Sequence, residues 1–248
     1  MKILHCSDWH ADWRTSGVDR FDDVADAVSQ TVRVAIEEKV DLYLMTGDLA
    51  DPDDGPRVLR AVGLAIDAAE QLALQGIPSW WLKGNHCAVE DGSGRSVLTP
   101  LASLGAQGLV RVFDEPARVL LPGRPTISRG APAFGLMLPY SAASRSYDPR
   151  EFVRAQRAAL GDESQVLVAT HLQVEGATPG DETTEMSRGR DVFFPFEECS
   201  PRWLLLGGHY HDGQTFERAG RKLRVPGSLV RLNHGEVLNR PHYTIWSF

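Results

Sequence analysis

Short apolar runs and amphipathic stretches alternate along the first third of the chain. Ile3–Ser7 is an apolar run of strand length. From Arg20 to Glu38, Phe21, Val24, Val28, Val32 and Ile36 recur at the spacing of one helical face. Val40–Thr46 is a second apolar run, Pro56–Gln75 a second helical stretch closed by Gly76, and Ile77–Leu82 a third run. This β-α-β-α-β order predicts parallel strands joined by right-handed crossovers.

The middle of the chain changes character. Val110–Phe113, Arg118–Leu121 and Ala133–Leu138 read as short strands separated by Pro and Gly, and Pro149–Leu160 as a helix. A buried strand comes next at Val166–Thr170, then a long loop, then Trp203–Leu206. The end is strand-rich, with Gln214–Arg218, Lys222–Val225, Leu229–Leu232 and Tyr243–Phe248. An α/β fold of two mixed sheets, packed as a sandwich and flanked by helices, uses all of these elements in one domain over residues 1–248.

Composition narrows the class without naming a function. Hydrophobic residues make up 42% and charged residues 24%, ordinary values for a soluble globular protein. No apolar run approaches the roughly 20 residues needed to cross a bilayer, so no membrane association is expected. The opening MKILHCSDWH is broken by His5, Asp8 and His10 and does not read as a signal peptide. Three cysteines without motif spacing argue against a disulfide framework and for a cytoplasmic protein. The net charge of −7 lacks the basic footprint of a protein that grips nucleic acid by charge alone. Bound divalent cations would offset that charge locally, so a nucleic-acid enzyme stays open.

The chemistry lies just beyond the end of each buried run. Asp8-Trp9-His10 comes after the first, Gly47-Asp48 after the second and Lys83-Gly84-Asn85-His86 after the third; His171 comes after Val166–Thr170, and Gly207-Gly208-His209-Tyr210-His211 after Trp203–Leu206. Ligands in open α/β sheets bind beyond the carboxyl ends of strands, so parallel neighbours bring these side chains together. Carboxylates, imidazoles and an amide oxygen suit manganese, iron or zinc, and a carboxylate bridges two ions about 3.5–4 Å apart. The glycines beside Asp48, Asn85 and His209 allow tight turns and close backbone approach. Any one of these motifs occurs by chance; five in this order, holding five of the eight histidines, do not. His5, His234 and His242 are left as structural, and Tyr210 as a packing residue.

The order D-x-H, G-D, G-N-H, H, G-H-x-H resembles the calcineurin-like metallophosphoesterases. Leu4-His5-Cys6-Ser7-Asp8-Trp9-His10, Ala169-Thr170-His171-Leu172 with Glu175-Gly176-Ala177, and Pro226-Gly227-Ser228 resemble the SbcD-type DNA-repair nucleases within that superfamily. The resemblance implies that Asp8, His10 and His211 hold one ion, that Asn85, His171 and His209 hold the other, and that Asp48 bridges them. It implies a metal-bridging hydroxide as nucleophile, manganese as the usual metal, and His86 assisting the leaving oxygen without binding metal. The family continues Gly-Asn-His with an acidic residue, where this chain has Cys87. A thiol is a weak hydrogen-bond partner, so His86 is expected to be held less firmly unless Glu90 or Asp91 reaches it. The sequence ends at Phe248, just past the last expected core strand, so the capping domain and ATPase-binding segment of SbcD-type proteins are not expected in it.

Trp13 and Arg14 would sit at the rim of such a site, and Arg188 and Arg190 in the long loop would meet phosphates there. Trp13 and Arg14 read equally well as exposed loop residues, solvated surface is the commoner fate of arginines such as Arg188 and Arg190, and Arg218, Arg221, Lys222 and Arg224 read best as an exposed hairpin. The expected function is a DNA nuclease, exo- or endonucleolytic, with DNA and a separate SbcC-type ATPase as partners. The acidic balance keeps a small-molecule or cyclic-nucleotide phosphodiesterase or phosphatase as the alternative. An inert scaffold is disfavoured by the full ligand set.

Overall fold

The structure, a computed structural model, describes residues 1–52, 55–89, 95–122, 132–140, 147–175 and 192–247. Apolar residues in consecutive strand positions face opposite sides of a sheet and so require cover on both. The first sheet meets this with β1 (Lys2–Cys6), β4 (Leu42–Met45), β5 (Ser79–Leu82) and β6 (Val110–Phe113), all parallel, and β13 (Thr244–Ser247) antiparallel at the edge beside β1. Tyr43, Met45 and Trp81 point outward under α1 (Phe21–Glu37) and α2 (Pro56–Leu74), which bury Val24, Val28 and Val32 and Ala61, Ala65 and Leu72. Ile3, Leu42, Leu44, Trp80 and Leu82 point inward.

Their inward faces meet Met137, Leu167, Ala169 and Leu206 of a second sheet. It contains β7 (Ala117–Leu120), β8 (Phe134–Leu138), β9 (Val166–Thr170), β10 (Leu204–Gly207), β12 (Arg221–Val225) and β11 (Gln214–Arg218) in the spatial order β11-β12-β10-β9-β8-β7. Strands β8, β9, β10 and β12 run parallel, and β7 and β11 close the edges antiparallel. α4 (Pro149–Leu160) lies over the outer face of this sheet, burying Val153 beside Val168 and Leu205. Its start is fixed by Pro149 in the first turn and by the Asp148 carboxylate, which accepts the Arg150 N–H at 2.7 Å.

Three features depart from the expected elements. A two-residue hairpin, β2 (Arg14–Thr15) with β3 (Val18–Asp19), comes directly after the first motif. A short helix α3 (Thr99–Ala102) runs into a 3-10 turn at Ser103–Gln107. Leu229–Leu232 is not a strand. Its polar backbone groups find side chains instead of a neighbouring strand: the Leu232 carbonyl accepts from Trp13 Nε1 at 2.7 Å, the Leu232 N–H donates to Glu236 at 2.7 Å, and the Arg231 carbonyl accepts from Arg20 at 2.9 Å. No described helix is long and apolar enough to cross a membrane.

Candidate metal centre

Parallel strands β1, β4, β5, β9 and β10 all point their carboxyl ends to one rim of the sandwich. The residues just past them turn sharply inward there. Asp8, His10, Asp48 and His209 all have positive φ, at 52°, 42°, 58° and 81°, a region that side chains enter only when the surroundings over-determine it. Four such residues at the ends of three strands mark the rim as strained for a purpose other than chain reversal. Gly47 and Gly84 keep the backbone close: a Cβ on Gly47 would collide with the His171 ring, and one on Gly84 with the Asp48 carboxylate.

The turns bring the seven expected ligands together in two groups. The ligand atoms of Asp8, His10 and His211 lie within 4.8 Å of one another, as do those of Asp48, His171 and His209. Asn85 joins the second group, its Oδ1 standing 3.0 Å from both His171 Nε2 and His209 Nδ1. Asp48 stands between the groups: its Oδ2 is 3.0 Å from His171 Nε2 and 3.8 Å from His10 Nε2. Its other oxygen accepts the His86 backbone N–H at 2.9 Å, which fixes the carboxylate plane.

The partners dictate the tautomers. Backbone carbonyls and carboxylates only accept. His171 Nδ1 therefore donates to the Thr46 carbonyl at 2.6 Å and His211 Nδ1 to Glu236 Oε1 at 2.8 Å, so that Nε2 is the atom each ring turns to the centre. His211 Nε2 lies 3.1 Å from His10 Nε2. Burial first, then the neighbouring His211 and His86, keep the His10 imidazole well below its ordinary range and so unprotonated. With carboxylates, imidazole nitrogens and an amide oxygen converging at these distances, the donor set fits a divalent metal.

Without metal the cluster balances its charges internally. Burial pushes the Asp8 carboxyl up to about 6 and lowers His209 to about 3. Burial opposes the charge of His171, but the Asp48 carboxylate outweighs it and lifts the imidazole to about 9. In return Asp48, though its burial acts in the other direction, is held well below the carboxylate range by His171, His86 and His10.

His86 belongs to neither group. Its ring stacks edge-on against His10, centroids 5.0 Å apart, and its Nδ1 lies 3.6 Å from Asp51 Oδ2. Burial pulls its pKa down, yet the Asp51 and Asp48 carboxylates win and raise it. Cys87 takes no part in holding the ring. It is fully buried, its thiol is pushed up to about 12 by burial, and its sulfur accepts the Leu49 N–H at 3.4 Å. Among the described residues, the carboxylate facing His86 is Asp51, three residues after Asp48. Glu90 and Asp91 lie outside the described residues, as do Arg188 and Arg190.

Of the other expected contacts, Trp13 is half-buried with its ring 5.8 Å from that of His10, and its indole N–H is committed to Leu232. Arg14 is exposed and bonds the Gly17 carbonyl within its own hairpin. Arg218 pairs with Glu175, Lys222 with Glu217, and Arg221 donates to the Cys199 carbonyl, so that hairpin satisfies its charges within the chain. Tyr210 is buried and accepts the Val174 N–H at 2.8 Å, a packing role. His5 is buried with Nε2 2.9 Å from Thr46 Oγ1. Sequence reasoning missed Asp51 and Glu236. The only signal for Glu236 was its place three residues after Asn233, the spacing of a helix-capping pair, which is what the two residues form at 3.1 Å.

A model of the calcineurin-like phosphoesterase family matches residues 1–213. The chain is 28% identical over 226 residues to the DNA double-strand break repair protein Mre11 of Saccharolobus solfataricus, covering 89% of this chain and 54% of that one. It is 27% identical over 252 residues to the SbcD subunit of the nuclease SbcCD of Escherichia coli, covering 95% of this chain and 62% of that one. The chain thus spans between half and two thirds of the curated relatives it matches over most of its length. Among solved structures, a dimetal phosphatase from Danio rerio superposes with a TM-score of 0.58 at 13% identity, covering 92% of this chain and 87% of that one, a likeness of fold.

Proposed function

Because the chain belongs to the calcineurin-like phosphoesterase family, we propose that it is a dinuclear-metal phosphodiesterase acting on DNA. The observation that carries the metal reading is Asp48, whose one oxygen faces a histidine of each ligand group. Asp8, His10 and His211 would hold one ion and Asn85, His171 and His209 the other, with Asp48 shared. Bound divalent ions, manganese first and iron or zinc as alternatives, supply Lewis acidity toward a phosphoryl oxygen and activate water.

The remaining work falls to the chain. The Thr46 carbonyl and Glu236 hold the tautomers of His171 and His211. His86, whose pKa Asp51 and Asp48 raise against its burial and which lies at the edge of the site, donates a proton to the leaving oxygen.

DNA as substrate is supported by the names of both relatives, a DNA double-strand break repair protein and a nuclease subunit. A separate SbcC-type ATPase subunit is the partner the second name points to. The three cysteines, all unpaired thiols, accord with a cytoplasmic place. A net charge of −7 favours a second reading, a small-molecule or cyclic-nucleotide phosphodiesterase. Hydrolysis of single-stranded and plasmid DNA, bis-p-nitrophenyl phosphate and cyclic nucleotides with manganese separates the two. DNA cleavage that Asp48→Ala abolishes is expected. Turnover of cyclic nucleotides with intact DNA would replace the nuclease reading, and an Asp48→Ala variant of near wild-type activity would remove the dinuclear centre.

A further inference from the structure

The matched family region ends at residue 213, yet one ligand group is braced by a segment beyond it. Residues 231–236 pack behind this ligand group without forming a strand. Glu236 is 6% exposed, and its carboxylate is committed on both oxygens. Its Oε1 accepts from His211 Nδ1 at 2.8 Å and from Asn233 Nδ2 at 3.1 Å, and its Oε2 accepts the Leu232 N–H at 2.7 Å. The Leu232 carbonyl in turn accepts from Trp13, whose ring packs edge-on against His10. The His211 carbonyl is held separately by the Ser228 N–H at 3.1 Å. Both histidines of the Asp8–His10–His211 group therefore lean on the same short segment.

The second group is held differently. His171 donates to a neutral carbonyl, Thr46, at the end of a central strand. His211 donates to an anion, and that anion is carried by a short 3-10 turn at His234–Leu238. A carboxylate behind an imidazole fixes the tautomer and ring plane and raises the basicity of the nitrogen that faces the metal.

We infer that Glu236 is a positioning residue that sets the metal affinity of the Asp8–His10–His211 half-site selectively, acting through His211 Nδ1. The inference rests on the metal reading above and adds to it an asymmetry: one half-site depends on a short segment outside the strands, the other on the sheet.

The test is calorimetric titration of the metal-free full chain with manganese chloride, with no turnover involved. Wild type should show two binding steps, and His10→Ala identifies the step belonging to this half-site. Glu236→Ala should weaken that step by about 10–100-fold and leave the other unchanged. Glu236→Gln, which keeps an acceptor for His211 Nδ1 but removes the charge, should fall between Ala and wild type, and it guards against misfolding of the alanine variant. Wild-type binding by both variants, or an equal loss at both steps, would overturn the role of Glu236 while leaving the metal centre standing. A wild-type protein that binds no manganese would overturn the metal centre and this inference with it.

Discussion

His86 is adjacent in sequence to a proposed ligand and yet points its ring at a carboxylate from another loop. Asp51 reaches it at 3.6 Å, while the neighbouring Cys87 is turned into the core. The expected weakness after Gly-Asn-His is therefore met from the β4–α2 connection, and no local pattern around His86 announces that. If His86 protonates the leaving oxygen, His86→Ala should keep both manganese-binding steps and lower turnover by about 10²–10⁴-fold. Loss of a binding step in that variant would make His86 a ligand. Asp51→Asn probes the same pair with a sign. Burial depresses the His86 pKa, and the carboxylates raise it. Without the Asp51 charge, burial gains ground and the pKa falls. His86 is then lost as an acid at lower pH, so the alkaline limb of the pH–kcat profile should move toward acid. An unmoved limb would show that Asp48 alone sets the protonation of His86.

The strand-end turns form the next scale. Asp48 and His209 sit in a left-handed conformation at the ends of their strands, and Gly47, at φ 109°, lets the chain pass against His171. Gly47→Ala forces both an unfavourable φ and a collision with the His171 ring. We expect a folded protein destabilised by about 1–3 kcal/mol in urea unfolding, with the manganese step of the His171 half-site weakened. Unchanged stability and binding would mean that the turn relaxes freely. The strands behind these turns were legible because Val166–Thr170 and Leu204–Gly207 are buried on both faces and so read as unbroken apolar runs. The ligands were legible because each sits at the end of such a run. What was not legible has local physical causes. Strands of two residues such as Arg14–Thr15 carry no alternation to detect. Leu229–Leu232 has the composition of a strand, and the side chains of Trp13, Arg20 and Glu236, distant in sequence or outside the run, show why its backbone needs no strand partner.

At the scale of the whole molecule the site lies across the seam of the sandwich. Asp8, His10, Asp48 and Asn85 come after strands of the first sheet, and His171, His209 and His211 after strands of the second. Cations held there would tie the sheets together, so their binding should appear as folding stability. Manganese at a hundred times its Kd adds about 2.7 kcal/mol per site. The gain depends on pH because ligands bind metal without their protons. With His171 at about 9 and Asp8 at about 6 in the metal-free protein, affinity should rise with pH through both values and fade below pH 6. A second acid-sensitive group lies between the sheets and does not touch metal. Burial holds His5 at about 3 against an ordinary 6.5. Its folded pKa is depressed, so its contribution is fully present above 6.5 and is lost as pH falls toward 3, at about 1.4 kcal/mol per pH unit. Urea unfolding from pH 5 to 8 separates the two effects. In excess EDTA the manganese-dependent gain should vanish at every pH, while the acid slope from His5 remains. His5→Gln should lessen that residual slope by the share of His5, while His10 and His209, also held down by burial, keep theirs, whatever the variant does to stability at pH 8. A His5→Gln variant with the wild-type acid slope in EDTA would show that His5 takes no part in acid unfolding and that the site histidines carry the slope.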